Sequence, residues 1–199
     1  MNAHPIGTRL AYSAATAMIA AAVLTGLTSC SNAPPATAGP NNAAAPAGAV
    51  GGGIGASWAV GYHSLHELKA HSAVAVQGRF TGIVVQNSLK TLPITDFEFT
   101  VDRVLHDPGN LVAAGDKLTV RQTGGTVDGV VQQTSDDPLF TIGENNVLFL
   151  TQPSPGLFYV IGGPTGRFEI TNGLVSPLAP DGATFSGTPA DFAAAVEAS

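Results

Sequence analysis

His63, Glu67 and His71 stand four residues apart, with His66 beside them. Imidazole and carboxylate groups at that spacing fall near one face of a helix and have the chemistry of zinc ligands. His63, however, precedes the expected helix cap, and no fourth ligand is evident. A solvated helix face is the better reading, and no metal or cofactor is expected. Asp128, Asp136, Asp137 and Glu144 are hard oxygen donors in or beside loops flanking Val130-Val131. No EF-hand or glycine-aspartate repeat spaces them, so turn chemistry explains them better than calcium. Gly124-Gly125 and Gly162-Gly163-Pro164-Thr165-Gly166-Arg167 invite comparison with a phosphate loop, which needs a lysine, then serine or threonine, then a helix. Arg167 and Phe168 instead open a strand-like run. If the domain binds a protein or small ligand, these two loops are the expected place, with Gly124, Gly125, Asp128, Thr165 and Arg167 as contact residues. No G-x-S-x-G elbow and no S-x-x-K motif is present, so no catalytic residue is assigned.

Composition narrows the setting. The 199 residues include one cysteine and carry a formal net charge of -6, with 11% charged and 44% hydrophobic residues. A disulfide scaffold, a zinc-ribbon array and a basic nucleic-acid binder are excluded, and the acidic balance argues against a nucleic-acid partner. Residues 1–9 hold one cation, Arg9, and no acid; Leu10 to Leu27 is then almost entirely apolar or small. This is the layout of a secretory signal peptide. The run ends in Leu27-Thr28-Ser29-Cys30, which resembles the bacterial lipobox. The resemblance implies residues 1–29 as a lipoprotein signal, a diacylglycerol on the sulfur of Cys30, and a chain held on the extracytoplasmic face of the cell membrane. Two acyl chains, at about 0.8 kcal/mol per buried methylene, give stable anchoring without a spanning helix.

The elements that must position any site lie further on. Residues 30–57 comprise Cys30 and a stretch of alanine, proline, glycine and asparagine with no charge. Such a segment cannot bury enough apolar surface to offset its ordering entropy, so it reads as a tether of about 30 Å root-mean-square reach. The folded part is expected over residues 58–199, with no disulfide to support it. Ser64-Leu65-His66-Glu67 is a capping-box pattern and predicts a short helix over 65–71. Beyond it the period is two, which predicts strands near 73–85, 96–105, 117–122, 127–132, 146–151, 157–161, 167–170 and 174–176. Phe97, Phe99 and Val101 alternate with Glu98, Thr100 and Asp102, so one side of that strand is wet. Gly78 and Gly82 permit bulges in the first long run. Thr188-Pro189-Ala190-Asp191 opens a last helix whose Phe192 and Val196 dock on the sheet.

The runs Ala75 to Val84, Phe97 to Leu105, Gly115 to Arg121 and Ile142 to Leu150 resemble the strand succession of netrin-like and TIMP-like domains. What this implies is an all-β fold, a small closed or partly open antiparallel barrel of the OB type, with a short N-terminal and a C-terminal helix. Metalloprotease inhibition in that group needs a free N-terminal cysteine held by disulfides, which this sequence lacks. The expectation is therefore a lipid-anchored binding or interaction module. Its alternatives are a small metal-dependent or hydrolytic enzyme using the His63, His66 and His71 region with acids of the barrel loops, and a carrier enclosing an apolar ligand.

Overall fold

The computed structural model describes residues 53–54, 58–89 and 91–199. Cys30, the expected signal segment 1–29 and most of the expected tether lie outside the described residues. The described part is mostly β, with two α-helices. Helix α1 spans Leu65–His71, where Ser64 Oγ accepts from the Glu67 N–H at 3.2 Å and the Glu67 carboxylate reaches back to the His63 N–H at 2.8 Å. Helix α2 spans Pro189–Ala198, and there Thr188 and Asp191 form the reciprocal capping box. Caps of this kind each stabilise a helix by about 1 kcal/mol.

Between the helices run β1 (Val74–Leu89), β2 (Leu92–His106), β3 (Lys117–Thr123), β4 (Gly125–Val127), β5 (Val130–Gln132), β6 (Asn145–Ser154), β7 (Leu157–Val160), β8 (Arg167–Thr171) and β9 (Leu174–Pro177). A large sheet contains a ring of five strands: β1 pairs with β2, β2 with β3, β3 with β7 in parallel, β7 with β6, and β6 back with β1. Strands β8 and β9 continue the sheet beyond β6, while β4 and β5 form a separate hairpin. The expected strand over 127–132 is thus split in two. Asp128 (φ 50°) and Gly129 (φ 78°) supply the paired positive dihedrals of a tight Asp-Gly hairpin turn. The first strand also outruns its expected end at residue 85, because the polar stretch Gln86-Asn87-Ser88 is held by pairing with Pro93 to Thr95 rather than by burial.

All five ring strands send side chains into one buried cluster, including Val74 and Phe80 of β1, Phe97 and Phe99 of β2, Val120 of β3, Leu148 of β6 and Phe158 of β7. The Phe80 ring stacks on Phe140, centroids 4.0 Å apart, and meets Phe99 edge-on at 4.9 Å. The interior that a carrier of apolar ligands would reserve for its cargo is filled by these side chains. A second cluster lies on the other face of β6, where Val147 and Phe149 pack with Leu68 of α1, Phe168 of β8 and Phe192 of α2. Burial on both faces explains why 147–150 reads Val-Leu-Phe-Leu with no polar alternation.

Closing the ring bends β1, which shows register shifts at Gln77/Gly78 and Phe80/Gly82. At Gly78 the β2 backbone comes so close that an added Cβ would collide with the Thr100 carbonyl and stand 2.8 Å from the Phe99 ring; at Gly82 its nearest neighbour would be 3.9 Å away. Gly78→Ala is therefore expected to cost about 1 to 3 kcal/mol, as overpacking does. Gly82→Ala should be close to neutral. Urea midpoints of the two variants measure the contrast, and equal midpoints would show that β1 and β2 can separate at no cost.

Candidate functional site

A cleft of about 720 Å³ is lined by residues from four separated stretches of chain, among them Trp58, His63, Ser135, Asp136, Thr165 and Asp181. Trp58, the only tryptophan of the sequence, donates from Nε1 to Asp136 Oδ2 at 2.9 Å. Its ring packs against Gly163, where a Cβ would stand 2.5 Å from the indole; glycine is also what the local φ of 55° favours. Pro164 opens a 3-10 turn, Gly163–Gly166, that turns Thr165 back on itself. The Thr165 hydroxyl donates to the Gly162 carbonyl at 3.0 Å and accepts from the Tyr62 N–H at 3.3 Å. That hydroxyl therefore ties the segment before α1 to the turn before β8.

His63 is fixed from two sides. Its backbone N–H is held by Glu67, whose carboxyl sits below the ordinary range chiefly because of that bond. Its ring Nδ1 lies 2.7 Å from the Asp181 carbonyl oxygen. A carbonyl can only accept, so Nδ1 carries a proton, and in the neutral imidazole Nε2 keeps its lone pair. The tautomer in the cleft is thus set by the Asp181 backbone.

The other histidines go elsewhere. His66 Nδ1 donates to the Ser199 oxygen at 3.2 Å, and His71 Nδ1 donates to the Glu67 carbonyl at 2.9 Å while its ring packs on Tyr62. His63, His66 and His71 therefore address three different carbonyl oxygens. Among the described residues no group of three or more His, Cys, Asp or Glu side chains is gathered as a metal site, and His63, Glu67 and His71 do not form one. The acids are equally dispersed. Asp128 is exposed in its turn, Asp136 is held by Trp58, and Asp137 and Glu144 face Arg167.

Arg167 is 2% exposed, so its side chain is not presented to a ligand at the surface. One terminal nitrogen donates to the Pro138 carbonyl at 2.7 Å and to Asp137 at 3.3 Å, the other to Glu144 at 2.7 Å. The guanidinium also lies 4.5 Å above the centre of the Phe140 ring. It fastens the loop after β5 to the first residue of β8, and with it both walls of the cleft. Gly124, Gly125 and Asp128 lie in or beside the β4–β5 hairpin, away from the cleft lining. Gly125 faces a shallower groove of about 260 Å³, shared with Gln86, Asn87 and Ile94. Of the expected contact residues, Thr165 alone lines the cleft.

Trp58, Ser135 and Asp181 had no signal in the local sequence. The cleft assembles only through tertiary structure, across separations of 78 residues for Trp58 and Asp136 and 118 for His63 and Asp181. No protein family matches the chain, and no characterised protein is significantly similar to it.

Burial holds the Asp137 carboxyl above the ordinary range, with Gln122 and Arg167 offsetting only part of the effect. An acid raised on folding binds its proton more tightly in the native state. Its contribution to stability is full below the unfolded value, about 3.9, and is lost as pH rises through the raised folded value. The stability of the wild type relative to Asp137→Asn should therefore fall in urea titrations as pH rises from below the unfolded value through the raised folded one. A relative stability that rises over that range would mean that pairing with Arg167 outweighs burial.

Proposed function

We propose that this protein is a lipid-anchored, extracytoplasmic binding module, in which the five-strand ring is a small barrel of the OB type and the cleft beside Trp58 takes the ligand. The observation that carries the reading is the cleft itself. An indole, an imidazole, hydroxyls and two aspartates converge on one concave surface, and the positions of the indole and imidazole are fixed by hydrogen bonds from distant segments. Pre-set polar groups on a partly apolar wall are the usual make-up of a ligand site. The ring supports the barrel reading because β6 returns to β1 and the interior is packed with aromatic side chains. The lipobox Leu27-Thr28-Ser29-Cys30 supports the address.

Immobilised full-length protein should capture a component of envelope extract that Trp58→Ala with Asp136→Ala releases. The sole tryptophan supplies the direct readout: adding the captured component back should shift Trp58 emission in solution. Capture that both proteins share equally would place the binding elsewhere than the cleft.

A second reading, hydrolysis, is favoured by one observation, the His63 tautomer, whose Nε2 meets no partner among the described residues, in a cleft that also holds Ser135. Against it, no hydrogen bond joins Ser135 to His63 among the described residues. If the cleft hydrolyses esters, turnover of a p-nitrophenyl ester should fall by about a hundredfold or more in both Ser135→Ala and His63→Ala, as for a nucleophile and its base. Turnover that survives both substitutions removes the cleft from the chemistry.

A further inference from the structure

The half of β1 beyond the ring has no role in the site above. From Thr81 to Leu89 it runs beside β2 on one side, and on the other side no strand pairs with it among the described residues. Ile83, Val84, Val85, Leu89 and, across the turn, Leu92 are all about half exposed, reaching 57% at Leu89. A run of apolar side chains this exposed on a small domain marks a contact surface. Charge separates it from the rest of the chain. Fifteen residues from Thr81 to Thr95 hold a single charged residue, Lys90, in a sequence of formal net charge -6.

The N-terminal chain joins the described part beside this arm. The Ile54 N–H donates to the Gln133 carbonyl at 2.9 Å, and Gln133 directly follows β5. Gly124 backs onto Gln133, and its own N–H donates at 2.8 Å to the carbonyl of Pro93, the residue after Leu92. Cys30 lies 24 residues before Ile54. The tether expected from the sequence of that stretch would reach about 25 to 30 Å. A lipid on Cys30 thus leaves the arm within range of the bilayer that holds the anchor.

We infer that the β1–β2 arm docks on the surface of a phospholipid bilayer, with Leu89, Leu92 and the neighbouring valines seated at the acyl-chain boundary. The inference rests on the anchor reading. Strand addition by a protein is less favoured by the arm's own geometry. Register shifts at Phe80/Gly82 and Ile83/Val85 break the ladder along the arm, and bulges are a means by which edges resist pairing. Uncovered N–H and C=O groups on that edge also limit the depth, because hydrocarbon cannot satisfy them. The arm therefore rests at the headgroup boundary, about 5 to 10 Å in, as interfacial elements do.

Because lipid occupies the sole native thiol, a new cysteine can be labelled alone. Acylated full-length protein carrying Leu89→Cys with an environment-sensitive fluorophore is reconstituted into phosphatidylcholine–phosphatidylglycerol vesicles whose acyl chains are brominated. The label at position 89 should lose most of its emission, a label at Ser154→Cys should keep it, and adding Leu92→Asp should restore most of the loss. Protein that floats with the vesicles while the label at 89 stays bright overturns the docking and leaves the anchor standing. A blue shift that scales with protein density without bromine quenching overturns it too, in favour of a second copy covering the arm. If the intact protein does not float and its mass shows Cys30 unmodified, the anchor reading fails. Quenching at 89 with vesicles in excess then still decides the arm, and its absence overturns the docking.

Discussion

The structure depends on one strand buried on both faces. β6 pairs with β1 along one edge and with β7 and β8 along the other, so it both closes the ring and carries the sheet beyond it. Its inward side chains, Leu148 and Leu150, belong to the ring interior; its outward ones, Val147 and Phe149, support α1, α2 and β8. At about 25 cal/mol per Å² of apolar surface removed from water, these four side chains contribute several kcal/mol to two cores at once. With one cysteine in the sequence, no disulfide within the chain shares this role, and burial alone carries it.

A buried charge cluster then sets the site beside this framework. The Arg167 backbone lies opposite Leu148 of β6, while its guanidinium turns toward Asp137, Glu144 and Phe140. Taking such a group out of water costs several kcal/mol, which close carboxylates and hydrogen bonds must offset. The offset is incomplete among the described residues, where Arg167 Nε and Asn146 Oδ1 are buried and meet no hydrogen-bond partner. What the cluster supplies is position. It joins the loop that carries Ser135 and Asp136 to the strand that follows Thr165, and so sets the width of the cleft.

Much of the fold was legible because its signals are local. The Ser64–Glu67 and Thr188–Asp191 patterns place both helix starts, since a cap is made by residues three apart. The alternation of Phe97, Phe99 and Val101 identifies the wet and dry faces of β2, because side chains along a strand point to opposite sides in turn. The split of 127–132 is harder to read although Asp128-Gly129 is a strong turn signal; the valines flanking it on both sides resemble one continuous strand.

The site was far less legible. His63 and Asp136 could be named as chemically able residues, but side-chain type says nothing about which distant carbonyl or indole will meet them. By itself the sequence determined the helix starts, the strand periodicity, the absence of disulfide chemistry and the charge balance, all of which follow from composition or from neighbours in the chain. Only the tertiary structure decided that Arg167 is an internal clamp rather than a ligand contact, that the three histidines part company, and that Trp58 lies against Gly163 beside Asp136. Those outcomes depend on how β6 closes the sheet, and a pairing between segments so far apart in the chain leaves no periodic trace in either of them.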